Sequence, residues 1–308
     1  MRRGGIGTAK RCRTDLSLRV RTCYDGMNTK RWRVTGVEDW ILFILIGLFA
    51  GTFGSLAGLG GGVIAVPSLL VIAALFPEYR HLTPQVVVGT SLIMIVLTAL
   101  SSTLSYSRQR RVDYRSGLLF FTASGPGAIA GSFLSRIFEP ESFYIAFGIF
   151  LIAVSVLLTV GERAKERPIR WSVTREFTDA DGNVFRYGYH RPTALAVAFV
   201  VGLVSSLFGI GGGALMVPVM VFLFRFPPHV ATATSMFMIF LSSIFGSLGH
   251  VVQGNVEWEA ALFIAPGAWF GGRLGAWISK RLSSRGLLIA LRLALLLVAV
   301  RMIWEGVS

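Results

Sequence analysis

The sequence has few charged residues for its length. Only 15% of the 308 residues are Asp, Glu, Lys or Arg, while 53% are hydrophobic and the mean hydropathy is +0.64. A soluble globular protein carries about 25% charged residues, and the deficit here is concentrated in long apolar runs. The composition therefore excludes most soluble enzymes and predicts a protein of the lipid bilayer.

Cysteine and histidine are scarce as well. The two cysteines, Cys12 and Cys23, lie in the N-terminal tail with no histidine beside them. This scarcity predicts neither a disulfide framework nor a metal site, and no pattern calls for a cofactor. Residues 179–183 begin like a calcium-binding loop, but the twelfth position, which needs a bidentate glutamate, holds His190. A simple turn is the better interpretation.

Charge of one sign predominates, and the net charge is +14. Residues 1–38 hold ten of the 30 basic residues and lack the apolar core of a signal peptide. They are predicted to form a disordered basic tail, which a start at Met27 would shorten. The other basic residues lie mainly at the ends of apolar runs, as the positive-inside rule describes, so nucleic acid is not expected as a partner.

Apolar runs long enough to enter a bilayer occur in two series of five, separated by a polar stretch. They cover residues 40–58, 63–76, 84–106, 116–137 and 142–160, and then 193–209, 214–226, 230–250, 258–279 and 285–304. About 20 helical residues span the hydrocarbon, so the chain is predicted to be an all-α, polytopic membrane protein with eight to ten segments. The predicted organisation is a tail (1–38), a first membrane repeat (39–161), a polar linker with a short hairpin (162–191) and a second repeat (192–305).

The two series are copies of each other. At one constant offset, Gly51, Ser55, Leu56, Gly58, Gly60, Gly61, Gly62, Val66 and Pro67 match Gly202, Ser206, Leu207, Gly209, Gly211, Gly212, Gly213, Val217 and Pro218. Further on, Thr90 and Ser91 match Thr234 and Ser235, and Val112, Asp113 and Tyr114 match Val256, Glu257 and Trp258. Self-similarity of this extent indicates an internal repeat.

Charges on equivalent loops indicate how the copies are related. Arginines surround the loop at 107–115, whereas its partner at 251–257 has no Lys or Arg; the loop at 138–141 is acidic, whereas its partner begins with Lys280 and Arg281. Since basic loops stay in the cytoplasm, the copies are predicted to be inverted, with the linker cytoplasmic as well. Ten full crossings would place the basic tail outside, while one half-helix per copy reduces the count to eight.

The best candidate for a binding site is the glycine-rich sequence in each copy. Substrate-binding residues are predicted at Gly58, Gly60, Gly61 and Gly62 in the first copy and at Gly209, Gly211, Gly212 and Gly213 in the second. Glycine costs about 1 kcal/mol against alanine in a helix, so each run is predicted to break its helix and to offer N–H groups and a positive helix end to an anion. Two alternatives are close helix packing and a dinucleotide-binding turn; the second is weak, since no acid lies between Gly209 and Glu257.

The other candidates are hydroxyl residues near the start of the third segment of each copy and the few charged residues within the apolar runs. Four hydroxyl residues, Thr90, Ser91, Thr234 and Ser235, are expected to donate to the same cavity, or else to bond their own backbone carbonyls. Arg273 is a candidate for contact with an anion or for helix packing. Arg292 and Arg301 are expected to reach the membrane interface. His250 ends its run and is expected at the interface rather than as a proton carrier.

The doubled motif resembles the TauE/SafE sulfite exporter family of membrane permeases. The likeness rests on two copies of Gly-Leu/Ile-Gly-Gly-Gly followed by Val-Pro and later by Thr-Ser, and it covers about residues 40–304. It implies an inner-membrane permease for small anions such as sulfite, sulfonates and related organic acids. A passive anion channel and an integral-membrane enzyme are the alternatives, but the apolar runs contain no paired acids, Ser-His pair or other catalytic set.

Overall fold

The structure is a computed structural model whose helices follow the predicted apolar runs. It describes residues 11–15, 20–24, 37–79, 81–163, 172–178 and 184–280, together with helical residues 296, 298–304 and 306. Much of the basic tail, the 164–171 and 179–183 parts of the linker and most of the last predicted segment, including Arg292, lie outside these residues. The chain divides into two units, residues 1–41 and 42–308.

The N-terminal unit contains an antiparallel pair of strands, β1 (Arg11–Asp15) and β2 (Val20–Tyr24), in which Cys12 stands opposite Cys23. The expectation of a tail without structure is therefore wrong for these ten residues. In β2, strand-favouring Val20, Thr22 and Tyr24 alternate with other residues, a pattern typical of a strand.

The described part of each membrane repeat consists of helices joined by short loops. The first contains α1 (Val37–Ala57), α2 (Gly62–Leu75), α3 (Pro84–Arg108), α4 (Tyr114–Leu134) and α5 (Pro140–Arg163). The second contains α6 (Arg191–Phe208), α7 (Gly213–Pro218, continuing as a π turn to Leu223), α8 (Pro228–Val252) and α9 (Trp258–Ile278). The prediction of an all-α polytopic fold is confirmed.

Six of the described helices are long and apolar enough to cross a membrane: α1, α3, α4, α5, α6 and α8. By contrast α2 has 14 residues and the continuous helix 213–223 has 11, so at about 1.5 Å per residue they reach only about 21 and 17 Å. Each short helix follows a glycine run. One half-helix per copy is one of the two arrangements that the sequence allowed, the other being ten full crossings.

The equivalent helices α3 and α8 pack side by side in opposite directions. Gly89, near the start of α3, lies against His250 at the end of α8, and a Cβ built on Gly89 would be 3.0 Å from the His250 Cβ. At the other extreme, Thr234 near the start of α8 accepts a hydrogen bond from the N–H of Asp113, just beyond the end of α3. Antiparallel packing of equivalent helices supports the predicted inversion, whose orientation in a membrane stays a prediction.

Helices of one copy pack closely on helices of the other through glycine. A Cβ at Gly127 or Gly131 of α4 would overlap the backbone of α6 at Phe199 or Leu203. In the equivalent pair, a Cβ at Gly267 of α9 would overlap the backbone of α1. Small residues allow such close approach in membrane proteins, so the two copies are interleaved instead of forming separate bodies.

Loops sort into two ends of the membrane unit. We call the end that contains residues 109–113, the linker strands and residues 276–280 the hairpin end; there the Gln109 side chain donates to the Ala276 carbonyl. We call the end that contains residues 81–85, 132–141 and 251–257 the opposite end; there Gln85 donates to Phe138 and Gln253 to Ser132. The loops predicted as cytoplasmic thus share one end.

The linker contributes an antiparallel pair of strands, β3 (Val173–Thr178) and β4 (Val184–Tyr189), in the register expected of a hairpin. Tyr187 and Tyr189 of β4 are buried among aromatic residues: Tyr187 lies 3.9 Å from Phe226, measured between ring centroids, and Tyr189 packs against Phe120. The linker strands therefore belong to the core at the hairpin end.

Candidate functional site

Each helix break is built from glycines in a backbone conformation that other residues rarely adopt. The φ angles are +73° at Gly58, +86° at Gly60 and +94° at Gly61, and +68° at Gly209, +86° at Gly211 and +72° at Gly212. A side chain at φ > 0 is strained, whereas glycine adopts this region readily. The predicted interruption of both helices is therefore present at the predicted residues.

The two breaks lie against each other in the interior. A Cβ on Gly62 would overlap the Gly209 carbonyl oxygen, and a Cβ on Gly213 would overlap the Gly58 carbonyl oxygen. Ile95 and Ile239, from α3 and α8, flank this contact: Cβ atoms on Gly60 would lie 3.2 and 3.3 Å from their Cγ2 atoms. The structure thus brings both glycine runs together, and close packing is one of their roles.

Serines of each copy hold the break of the other copy. Ser91 Oγ lies 3.0 Å from the Gly209 carbonyl oxygen and 2.8 Å from that of Val88. Ser235 Oγ lies 3.0 Å from the Gly58 carbonyl oxygen and 2.9 Å from that of Thr232. A hydroxyl has one hydrogen to donate, so each serine shares it between its own helix and the opposite break. A role of these serines towards an anion stays a prediction.

The neighbouring threonines accept hydrogen bonds from loop backbone. Thr90 Oγ1 accepts from the Glu257 N–H at 3.0 Å, and Thr234 Oγ1 accepts from the Asp113 N–H at 3.0 Å. Both threonines are buried. Each therefore connects α3 or α8 of one copy to a loop of the other copy, at opposite ends of the molecule.

Helix starts at the breaks carry backbone donors ahead of the first helical hydrogen bond. In α2 those bonds begin with the N–H groups of Ile64 and Ala65, both donating to the Gly61 carbonyl. The N–H groups of Gly62 and Val63 therefore precede them, at the positive end of the helix dipole. In α7 the equivalent bonds begin with Leu215 and Met216, which donate to Gly212, and the Gly213 N–H donates to the Gly211 carbonyl, so the Ala214 N–H is the donor that precedes them.

No negative side chain accompanies these helix starts among the described buried residues. Among those buried residues the one carboxylate is that of Asp113, which lies at the hairpin end. No group of three or more His, Cys, Asp or Glu suited to a metal occurs in the described part of the chain. The starts of α2 and α7 therefore meet with no buried carboxylate beside them among the described residues.

Arg273 is placed away from the breaks. Its side chain is exposed on α9, where the guanidinium carbon lies 5.2 Å from the ring centroid of Trp269. The small residues Gly272 and Gly275 form the buried face of the same helix instead. The structure does not bring Arg273 to the glycines, and Arg301 is likewise exposed.

His250 is fully buried, so the expectation of an interfacial histidine is wrong. Its Nε2 lies 3.1 Å from the carbonyl oxygen of Ser206, in the last turn of α6 before the second break. In the first copy, Tyr106 donates from its hydroxyl to the Ser55 carbonyl at 2.9 Å. The spacing that relates Thr90 to Thr234 also relates Tyr106 to His250, so equivalent positions make equivalent contacts with different side chains.

A polar cluster at the hairpin end was not identified from the sequence. The Asp113 carboxylate caps α4 by accepting from the N–H groups of Arg115 and Ser116, and it also accepts from the Ser116 and Tyr187 hydroxyls, the latter at 2.7 Å. Burial and the adjacent carboxylate raise the pKa of Tyr187 above its usual range. The available signal was the position of Asp113 directly before an apolar run, typical of a helix cap.

Comparison with known proteins identifies relatives along nearly the whole chain. The sequence model described as Sulfite exporter TauE/SafE matches residues 43–302. "Probable membrane transporter protein YunE" of Bacillus subtilis is 47% identical over 272 residues, covering 87% of this chain and 99% of the relative. "Probable membrane transporter protein MJ0441" of Methanocaldococcus jannaschii is 26% identical over 262 residues, covering 81% and 90%. No solved structure gives a significant match.

Proposed function

Because the chain belongs to the sulfite exporter TauE/SafE family and is a multi-pass membrane protein, we propose that it transports a small anion, in the class of sulfite, a sulfonate or a related organic acid. The coarser conclusion, a membrane transporter, follows from the family and the printed names of the relatives. The choice of an anion rests on the chemistry of the paired breaks.

The observation that carries the proposal is the meeting of two helix starts in a buried region without a carboxylate. Removing an ion from water costs several kcal/mol even after relaxation, so a site must supply compensating groups. Backbone N–H groups at the start of α2 and α7 are donors, and hydrogen bonds to an ionised acceptor are about twice as strong as neutral ones. A cation would meet the positive ends of α2 and α7 and no buried carboxylate among the described residues, and the Gly58 and Gly209 carbonyls there already accept from Ser235 and Ser91.

Direct packing of one break on the other supports a transporter over a passive channel. Gly62 touches the Gly209 carbonyl and Gly213 touches the Gly58 carbonyl, which leaves no open path at that point. An ion that passes must separate these segments. Movement of the segments around a bound ion is the behaviour of a transporter with alternating access.

The test is counterflow in proteoliposomes that contain the purified protein. Vesicles loaded with unlabelled sulfite or an alkanesulfonate should accumulate the labelled anion in a saturable manner, and the other small sulfur oxyanions and carboxylates should compete. An organic cation of similar size serves as the matched control and should neither accumulate nor compete. Saturable cation uptake without any response to anions would contradict the proposal.

A further inference from the structure

We propose that His250 binds a proton together with the transported anion and so couples transport to protons. This inference rests on the proposed function and names the ion coupled to it. His250 is a buried imidazole with one ring nitrogen in a hydrogen bond and the other without a partner among the described residues.

The contacts of His250 determine which nitrogen is available. The Ser206 carbonyl can only accept a hydrogen bond, so Nε2, at 3.1 Å, carries the hydrogen in the neutral ring. Nδ1 then has a free lone pair, and it has no hydrogen-bond partner among the described residues. The Ser206 hydroxyl oxygen is buried and also lacks a partner within them. Nδ1 is therefore a buried basic atom, and Ser206, which His250 contacts through Nε2, carries a second buried polar atom without a partner among the described residues.

The equivalent residue of the first copy, Tyr106, shows which part of the His250 contact does not need an imidazole. At the equivalent position of the first copy, Tyr106 forms the same bond, from its hydroxyl to the Ser55 carbonyl. Holding the last helical turn before a break therefore does not require an imidazole. A phenol has an ordinary pKa near 10 and a histidine near 6.5, so of the two copies only the second carries at this position a type of side chain that readily accepts a proton.

The elements packed around His250 present no charge to it. Gly89 of α3 and Ser206 of α6 contact its side chain, and Ser132 of α4 lies against the adjacent Gly249. The charged groups of the opposite end are Glu257, which pairs with His81 at 3.5 Å, the exposed Glu78, Arg136, Glu139 and Glu141, and the partly exposed Glu259. Among the described residues, no carboxylate forms a hydrogen bond with the His250 ring.

An anion would supply the missing negative charge. Burial penalises an imidazolium, and an opposite charge nearby offsets that penalty. Ser206 precedes Gly209 by three residues, so His250 contacts the turn that leads into the second break. Because linkage is reciprocal, an anion at the breaks strengthens proton binding and a proton on His250 strengthens anion binding. The two ions then move together in one direction.

The experiment exchanges the two equivalent residues. Proteoliposomes would contain the parental protein, His250→Tyr, or Tyr106→His as the matched control, and the transported ion would be an alkanesulfonate whose charge is constant between pH 5 and 8. A pH-sensitive dye inside the vesicles reports proton entry. The parental protein and Tyr106→His should move protons with the sulfonate, whereas His250→Tyr should move sulfonate without protons and lose the pH dependence of uptake.

Proton movement retained in His250→Tyr would overturn the inference, as would sulfonate transport by the parental protein without protons; the latter leaves the proposed function intact. Absence of saturable transport of every anion would overturn both. If His250→Tyr does not insert, His250→Gln preserves a donor to Ser206 and serves the same purpose. A second readout needs no flux: adding sulfonate to weakly buffered, solubilised parental protein at pH 7 should take up protons, and adding it to His250→Gln should not.

Discussion

Glycine at a helix break does two things at once, because it adopts the required φ and leaves room for another backbone. Gly61 illustrates both: its φ is +94°, and a Cβ there would lie 2.7 Å from the Ala50 carbonyl oxygen. At Gly212 the φ is +72°, but the nearest atoms to a Cβ are side-chain atoms, at 3.2 Å or more. The two positions are equivalent in sequence and unequal in tolerance.

We therefore expect Gly61→Ala to reduce anion uptake at least tenfold and Gly212→Ala to reduce it less. Left-handed backbone costs a residue with a Cβ about 1–2 kcal/mol, and at Gly61 the overlap with backbone adds to that cost. Gly254→Ala is the matched control, because Gly254 has φ +73° but nothing within 4 Å of a Cβ. Uptake in proteoliposomes at equal protein content is the measurement. Equal loss in Gly254→Ala would assign the effect to backbone strain alone.

Residue-level prediction succeeded where a short motif determines geometry. The glycines, Ser91 and Ser235 do meet, because a glycine run interrupts a helix whatever surrounds it. The exposed position of Arg273 beside Trp269 and the burial of His250 did not follow from the sequence, because their surroundings come from the folded structure. His250 ends an apolar run, as an interfacial residue would, and its burial arises from α3 and α6.

At the scale of elements, a buried hydrogen bond to a charged group holds the linker hairpin against the helices. The Tyr187 hydroxyl donates to Asp113, which in turn caps α4 and binds Thr234 through its backbone N–H. The hairpin itself was predicted from alternating residues before a turn. Its docking was not, because alternation describes a strand without indicating what covers it.

Tyr187→Phe should lower the free energy of unfolding by about 1.5–3 kcal/mol, the usual contribution of a hydrogen bond to a charged group. Because the pKa of Tyr187 is raised in the folded protein, this contribution is complete below about pH 10 and is lost only as the pH rises above that value. Thermal unfolding of the purified protein at pH 6 and pH 8 is the measurement.

Tyr114→Phe is the control for that experiment, since the hydroxyl of the exposed Tyr114 donates to Ser107 at the surface, at 2.7 Å. An exposed hydroxyl pair contributes little, so its removal should leave the unfolding midpoint nearly unchanged. Equal thermal unfolding midpoints for Tyr187→Phe and Tyr114→Phe would contradict a stabilising role for the hydrogen bond from Tyr187 to Asp113.

For the whole molecule, the arrangement of loops predicts sidedness. Val184 of β4 is 60% exposed at the hairpin end, and Val252 is 78% exposed at the opposite end. In a chain without its two native cysteines, a membrane-impermeant thiol reagent should label Val252→Cys in intact cells and Val184→Cys only after the membrane is opened. The reverse pattern would place the hairpin end outside. Labelling of both from one side would contradict the antiparallel span of α3 and α8.

The helical nature of the segments followed from composition, because a bilayer permits few alternatives to helices of a given length. The number of full crossings did not, and six of the described helices are long and apolar enough to cross. Composition did not predict that helices of one copy pack on helices of the other, α4 on α6 and α1 on α9. Such pairing depends on where small residues of distant helices meet.

The reciprocal bonds from Ser91 to Gly209 and from Ser235 to Gly58 have a consequence for a chain of half the length. A single copy can form neither bond, since each needs a second copy lying antiparallel to it. A half-length chain with the same residues would therefore satisfy these bonds only as an antiparallel dimer, which requires insertion in both orientations. In the present chain the linker joins the two halves, so each break has its partner serine in the same molecule.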